Sequence, residues 1–406
     1  MQRRLYIIFF IIFCLCSCAK KGLITEKYVP DFYSVPSLLP DSLVLDKNPT
    51  FILYGDNRQG WRADEKFVKS KNWCTWKMLI FPFYELYWLG NGVVGGINWL
   101  RNVPDYGRRE RRNIRDALYA EAQRSQVDFI FNSGDIVADG RRPEQWAEFL
   151  KDNKFELPLL LDYPFLPMVG NHERANDSTY GLANYEAIFS YPQFYKVEFP
   201  DAAFFVVDSD IIIDQYERIE DKKQDQLFED WFVSGENKSK QAWLEQQFAN
   251  CNKKFKIVFM HHPPLSFSKH HGDWCNSSYG NKLPEKRRLL LKLFERHGVK
   301  IVFTGHEHLY EHNVFKCGTG EDDVIHIIVS GGGGVPLRDK TDDKKKTEYL
   351  QNYRKAGLNV LSIKQEKIFH YCLVEITAAR VKIKVFEVTE DDRQQVRLVE
   401  EIAVRE

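Results

Sequence analysis

At 406 residues, 44% of them hydrophobic and 28% charged, the chain can bury a large core and has the composition of an ordinary globular protein. Lys plus Arg and Asp plus Glu both total 57, so no global field draws it to polyanions, and no nucleic-acid partner is expected. Beyond Cys18 the cysteines are Cys74, Cys251, Cys275, Cys317 and Cys372, an odd number without a CxxC pair, which argues against a thiolate zinc site and leaves no disulfide framework to read.

In chain order, the basic start Met1-Gln2-Arg3-Arg4 precedes an apolar run from Leu5 to Leu15, too short to span a bilayer but suited to the core of an export signal. The run ends in Leu15-Cys16-Ser17-Cys18, which resembles a bacterial lipobox. Residues 1–17 are therefore expected to be removed as a signal peptide. Cys18 would then carry a lipid that anchors the exported protein, facing the periplasm or the cell exterior. Ordinary signal-peptidase cleavage and a eukaryotic secretory signal stay open. Residues 18–48, with three prolines and no clear periodicity, read as a tether.

A folded domain is expected from 49 to 390. Apolar, β-rich runs recur at 51–54, 129–132, 204–207, 255–260, 300–304 and 324–330, several of them separated by helix-like segments at 111–125, 240–248 and 285–297. That alternation predicts an α/β fold with parallel strands. Residues 368–377 and 380–388 flank Ala378-Ala379 as an antiparallel hairpin, and 391–406 is expected as a C-terminal extension.

Two insertions interrupt this plan. The first, 61–107, crowds aromatics between Trp76 and Leu89; Pro82 and the glycines argue against a spanning helix, which leaves a buried packing loop and a membrane-docking hairpin open. The second, roughly 265–284, carries His270, His271, Asp273 and Trp274. It is placed to rim a site as a solvated loop, with extra metal ligation by its histidines also open.

Five short polar motifs each close an apolar run: Tyr54-Gly55-Asp56-Asn57-Arg58, Ser133-Gly134-Asp135, Gly170-Asn171-His172-Glu173, Met260-His261-His262-Pro263 and Thr304-Gly305-His306-Glu307-His308. Asp, Asn and His offer the oxygen and nitrogen donors that divalent transition metals prefer. Neighbouring strands would gather these donors at their ends, which is the pattern of a binuclear metal site.

Taken in order, the motifs resemble the signature D-x-H, GD, GNH[DE], H and GHxH of the calcineurin-like metallophosphoesterase superfamily, nearest its purple-acid-phosphatase-like branch, over about residues 50 to 390. The resemblance implies a four-layer α/β/β/α sandwich of two mixed sheets. It also implies two divalent metal ions, manganese, iron or zinc, bridged by Asp135. Asp56 and His308 would complete the first metal's shell, and Asn171, His261 and His306 the second's. Neutral Asn and His ligands limit the negative charge and leave the site attractive to a phosphate dianion. His172 would contact phosphate or protonate the leaving oxygen, with Asp139 or Glu173 as candidates to orient it. His262 is expected to face substrate or to pack.

Two departures from the pattern matter. Arg58 stands where the first motif usually has histidine; a guanidinium has no lone pair and cannot ligate, so it either holds phosphate oxygens or pairs with a nearby carboxylate. No tyrosine follows Asp135 in Ile136-Val137-Ala138-Asp139, which disfavours a ferric-tyrosinate centre. Ser133 and the run Gly331-Gly332-Gly333-Gly334 are read as neither nucleophile nor phosphate loop, because no GK[ST] follows the glycines. The leading expectation is a phosphomonoesterase. A phosphodiesterase or pyrophosphatase acting on nucleotides or lipid head groups is the alternative, and a non-catalytic surface binding lipoprotein is a third reading.

Overall fold

The computed structural model describes residues 46–59, 107–174, 178–213, 235–275, 283–320, 322–389 and 395–405. The export signal with Cys18, the tether up to residue 45 and the aromatic insertion from 61 to 106 lie outside the described residues. Among the described residues, no helix is long and apolar enough to cross a membrane.

The chain runs β1 (Thr50–Tyr54), α1 (Arg108–Ser125), β2 (Phe129–Asn132), α2 (Pro143–Leu150), α3 (Leu159–Asp162), β3 (Phe165–Pro167), α4 (Asn171–Arg174), α5 (Ser178–Phe189), β4 (Tyr195–Glu198) and β5 (Ala202–Val207). It continues through α6 (Asp210–Ile213), α7 (Gly235–Ala249), β6 (Phe255–Met260), a 3-10 segment (Lys269–Cys275), α8 (Leu283–Arg296), β7 (Val299–Thr304), β8 (Tyr310–Lys316) and β9 (Val324–Ser330). The last elements are α9 (Asp343–Lys355), β10 (Val360–Glu366), β11 (His370–Ile376), β12 (Arg380–Val388) and β13 (Val396–Arg405).

These strands form two mixed sheets, one of six strands in the order β13-β12-β11-β1-β2-β3 and one of seven in the order β10-β8-β9-β7-β6-β5-β4. β1, β2 and β3 run parallel in the first sheet, and β5, β6, β7 and β9 run parallel in the second. Every motif-bearing strand is among these. Parallel neighbours deliver their carboxyl ends to the same sheet edge, the place where open α/β sheets build their sites.

Why the strands read as unbroken apolar runs follows from their packing on both faces. On β5, Phe204 and Val206 belong to the core between the sheets while Ala203, Phe205 and Val207 belong to a second core beneath Leu244 and Phe248 of α7 and Leu290 and Phe294 of α8. The inter-sheet layer is largely aromatic: Phe131 stacks on Phe259 at 4.0 Å between ring centroids, and Phe51 meets Phe204 edge-on at 5.2 Å. On the other side, α1 lays Ile114, Leu118 and Ala122 against the first sheet. The result is the expected four-layer α/β/β/α sandwich.

One expected boundary changes. The tail after residue 390 is an edge strand of the domain and not an extension: β13 pairs antiparallel with β12 from Arg380↔Arg405 to Val388↔Val396. Alternation explains it, since Ile402 and Val404 are buried while Glu401, Ala403 and Arg405 face solvent. Glu400 secures the strand to the other sheet, accepting from Tyr310 Oη at 2.9 Å and from His312 Nδ1 at 2.8 Å on β8.

Candidate metal centre

Asp56, Asp135 and His306 each follow a glycine at a strand end, and each adopts a left-handed backbone with φ of 56°, 55° and 70°. Residues other than glycine avoid this region at a cost of about 1–3 kcal/mol each, so three strained ligand candidates in one place mark a functional site. The loops that carry them touch through their backbones: Asp56 N–H donates to Gly134 O at 2.9 Å and Gly305 N–H to His261 O at 3.0 Å. Gly134, with φ of 90°, leaves no room for a side chain, because a Cβ there would stand 2.8 Å from His261 Nδ1 and 2.9 Å from the Gly170 backbone.

Two groups of buried ligand atoms result, Asp135–His261–His306 and Asp56–Asp135–His308, and they share Asp135. In the first, Asn171 Oδ1 lies 3.1 Å from His261 Nε2 and 3.0 Å from His306 Nδ1, and Asp135 Oδ1 lies 3.3 Å from His261 Nε2. Donors about 2.1 Å from a cation at tetrahedral or octahedral angles stand about 3.0–3.4 Å apart, so this spacing suits one ion. The second group is looser, with His308 Nε2 3.8 Å from Asp56 Oδ1.

The tautomers agree with ligation. His261 Nδ1–H donates to Ser133 O at 2.8 Å, His308 Nδ1–H to Pro336 O at 3.1 Å and His306 Nε2–H to the Asp273 carboxylate at 2.8 Å. In each ring the other nitrogen is directed at the cluster, the arrangement that outer partners impose on metal-bound histidine. The residues therefore fit divalent cations.

The electrostatics point the same way. Burial pushes the Asp56 carboxyl up to about 7, with the neighbouring Asp135 charge adding to the rise. Burial works against a charged His261, but the Asp135 carboxylate outweighs it and holds the imidazolium up to about 10. His306 and His308 are driven well below the usual imidazole range, first by burial and then by the neighbouring histidines His270 and His262 for His306 and by Arg338 and Arg58 for His308. Without an ion, a protonated histidine offsets the bridging carboxylate; a cation would take over that charge.

The other expected residues fall as follows. His172 Nε2 is 3.8 Å from Asp135 Oδ2, and its ring lies on the open side of the cluster. Ala138 O accepts from His172 Nδ1 at 2.6 Å, so neither Asp139 nor Glu173 orients it. Asp139 instead pairs with Arg141 and Arg142. Glu173 accepts from the backbone N–H groups of Asp135, Ile136, Val137 and Gly170 at 2.7–3.1 Å. Arg58 is buried with its Nε 3.4 Å from Asp135 Oδ2 and its Nη1–H donating to Gln59 O at 3.2 Å. His262 packs, fully buried against Ser209 Oγ at 2.9 Å.

Asp273 was not foreseen as a site residue. The loop from 265 to 275 is not solvated: Glu307 and Glu311 clamp it from below, accepting from Ser266, Phe267, Ser268 and His270. The clamp delivers Asp273 Oδ2 to both His306 Nε2 and His270 Nδ1 at 2.8 Å. A carboxylate three residues after a histidine in a loop gives no periodic signal. Only its meeting with the fifth motif does. Asp273→Asn should weaken manganese binding by about 10–100-fold, the usual cost of removing a ligand's outer partner. Isothermal titration calorimetry checks this, and an unchanged affinity would leave Asp273 a packing residue.

Residues 107–310 match the calcineurin-like phosphoesterase family. Over 265 residues the chain is 26% identical to "Probable inactive purple acid phosphatase 27" of Arabidopsis thaliana, covering 59% of this chain and 40% of that one. Over 259 residues it is 25% identical to a nucleotide pyrophosphatase/phosphodiesterase of Hordeum vulgare, covering 56% of this chain and 63% of that one. It thus spans less than two thirds of these curated relatives. In fold it is similar to a purple acid phosphatase isolated from yellow lupin (Lupinus luteus) seeds, with a TM-score of 0.53 and 13% identity over 89% of this chain and 54% of that one. The matched segment covers half of the chain and contains Asp135, Asn171, His172, His261, His306 and His308, and the chain belongs to the calcineurin-like phosphoesterase family.

Proposed function

We propose that the protein is a metal-dependent hydrolase of phosphate esters, with monoesters as its substrates. The observation that carries this reading is the pair of ligand groups joined at Asp135, each histidine fixed through one ring nitrogen by an outer partner with the other directed at the cluster. Two divalent cations there would supply Lewis acidity to the phosphoryl group and to the attacking water. Asp135, Asn171, His261 and His306 would hold one, and Asp56, Asp135 and His308 the other.

The chain's own groups supply the rest. Asn171 and the histidines are neutral donors, so the ligand set leaves a phosphate dianion attracted to the centre. His172, with Nδ1 committed to Ala138 O, turns Nε2 to the open side, where it can hydrogen-bond the phosphate or hand a proton to the leaving oxygen. Burial and the Arg58 charge push His172 down to about 4, so it is neutral until a phosphate dianion beside it raises its basicity.

A second reading, cleavage of nucleotide diesters or pyrophosphates, is favoured by the barley relative of that name. The two are separated by assaying metal-free protein reloaded with manganese, ferrous iron or zinc. The substrates are p-nitrophenyl phosphate, bis(p-nitrophenyl) phosphate and a nucleoside diphosphate. Monoester turnover at least tenfold above the others is expected; the reverse order would install the second reading, and silence on all three would leave a binding protein.

A further inference from the structure

We infer that the centre binds its two cations unequally. One is held tightly among Asp135, Asn171, His261 and His306, and the other weakly at Asp56, Asp135 and His308, where the Arg58 guanidinium stands in for a missing ligand. The inference rests on the reading of this cluster as a metal centre and concerns how its own residues divide the charge.

Three observations carry it. The first is the donor set: the Asn171 side supplies four ligand atoms, with Asn171 3.0–3.1 Å from both histidines and Asp135 3.3 Å from His261, whereas the Asp56 side supplies three, with 3.8 Å between Asp56 and His308. The second is Arg58 itself. Its buried Nε reaches to 3.4 Å from Asp135 Oδ2, the carboxylate oxygen not used by His261, while its Nη1–H donates to Gln59 O at 3.2 Å. A guanidinium keeps its charge at any working pH, so it competes with a cation for this oxygen and cannot be displaced by losing a proton.

The third is the surrounding field. Arg338, half-buried, donates its backbone N–H to His308 O at 2.9 Å and lies 3.5 Å from Glu307 Oε2, adding a second guanidinium on the same side. The Asn171 side has the opposite neighbour, since Asp273 places a carboxylate 2.8 Å from His306 Nε2. A dication therefore gains an outer carboxylate at one position, whereas at the other the Arg58 charge, with Arg338 beside it paired to Glu307, opposes the attraction of Asp56 and Asp135. Like charge opposes binding there, and the ion-paired Asp135 Oδ2 must be freed first.

The test is titration of the metal-free full-length protein with manganese, followed by calorimetry and by electron paramagnetic resonance, which distinguishes isolated from spin-coupled ions. The wild-type protein should show one tight step, a second at least about tenfold weaker, and a coupled spectrum only after the first equivalent. Arg58→His, which replaces the cation with a ligand, should strengthen the second step at least tenfold with the first unchanged. Arg58→Gln, which removes the charge without adding a ligand, should strengthen it less and serves where the histidine variant fails to fold. Two equivalent tight steps in the wild-type protein, or a second step left weak in both variants, would overturn the inference. No manganese bound at the cluster by any of the three proteins would overturn the metal-centre reading itself, a different failure.

Discussion

Asp135→Asn is expected to lower bound metal and turnover together, the latter by at least about 10³-fold, the upper end of what loss of one oxyanion donor costs. The side chain is isosteric, so the change isolates charge and donor capacity. Asp135 serves both ligand groups, with Oδ1 3.3 Å from His261 Nε2 and Oδ2 3.4 Å from Arg58 Nε. An amide carries one acceptor oxygen and no net charge, and its nitrogen has no lone pair to offer a second ion. Burial works against the Asp135 carboxylate, yet His172, His261 and Arg58 around it hold its carboxyl well below the usual range. Elemental analysis of the purified variant beside its hydrolysis rate is the measurement. Full metal content with normal turnover would remove Asp135 from the centre.

Glu173→Ala should cost the fold about 4 kcal/mol or more, with its effect on metal secondary. The carboxylate is fully buried and receives four backbone N–H groups, those of Asp135 and Gly170 at Oε2 and those of Ile136 and Val137 at Oε1. Each donor stranded without water costs roughly 1–3 kcal/mol, and the alanine leaves all four. Glu173→Gln should fall between, because its oxygen can serve two donors while its NH₂ faces the other two. Urea unfolding of the metal-free proteins compares them without the confounding contribution of bound ions. A loss below about 1 kcal/mol for the alanine variant would mean that water or a shifted backbone replaces the carboxylate.

The same residue shows where sequence reading stops. Glu173 follows His172 in the third motif and reads as a partner for it, yet its four donors come from the loop after β2 and from Gly170. Their convergence depends on how two loops pack, which no local spacing encodes. Asp273 was hidden for the same reason, held by a loop that Glu307 and Glu311 clamp from another part of the chain. The gathering of Asp56, Asp135, Asn171, His261, His306 and His308 was legible because each candidate closes an apolar strand, and parallel strands must end together.

Strand content was legible only where apolarity announced it. β8, Tyr-Glu-His-Asn-Val-Phe-Lys, looks polar but is buried over its first six residues. Its Glu311 takes hydrogen bonds from Ser268, Asn313 and Gln365, and its His312 joins Glu400 and His326. Partners supplied by distant segments turned a polar stretch into core. β3 is three residues ending in proline, too short for a period to show. β13 alternates in the strand manner, but only its pairing with β12 reveals that it completes the first sheet.

The central claim is that hydrolysis depends on cations held by the Asp135 cluster. Its most direct measurement is turnover of p-nitrophenyl phosphate by the purified protein after removal of metal with a chelator and during stepwise return of manganese. Activity should fall to background on chelation, return as manganese fills the cluster, and stay lost in Asp135→Asn. Hydrolysis that survives complete metal removal, or that returns equally in Asp135→Asn, would contradict it.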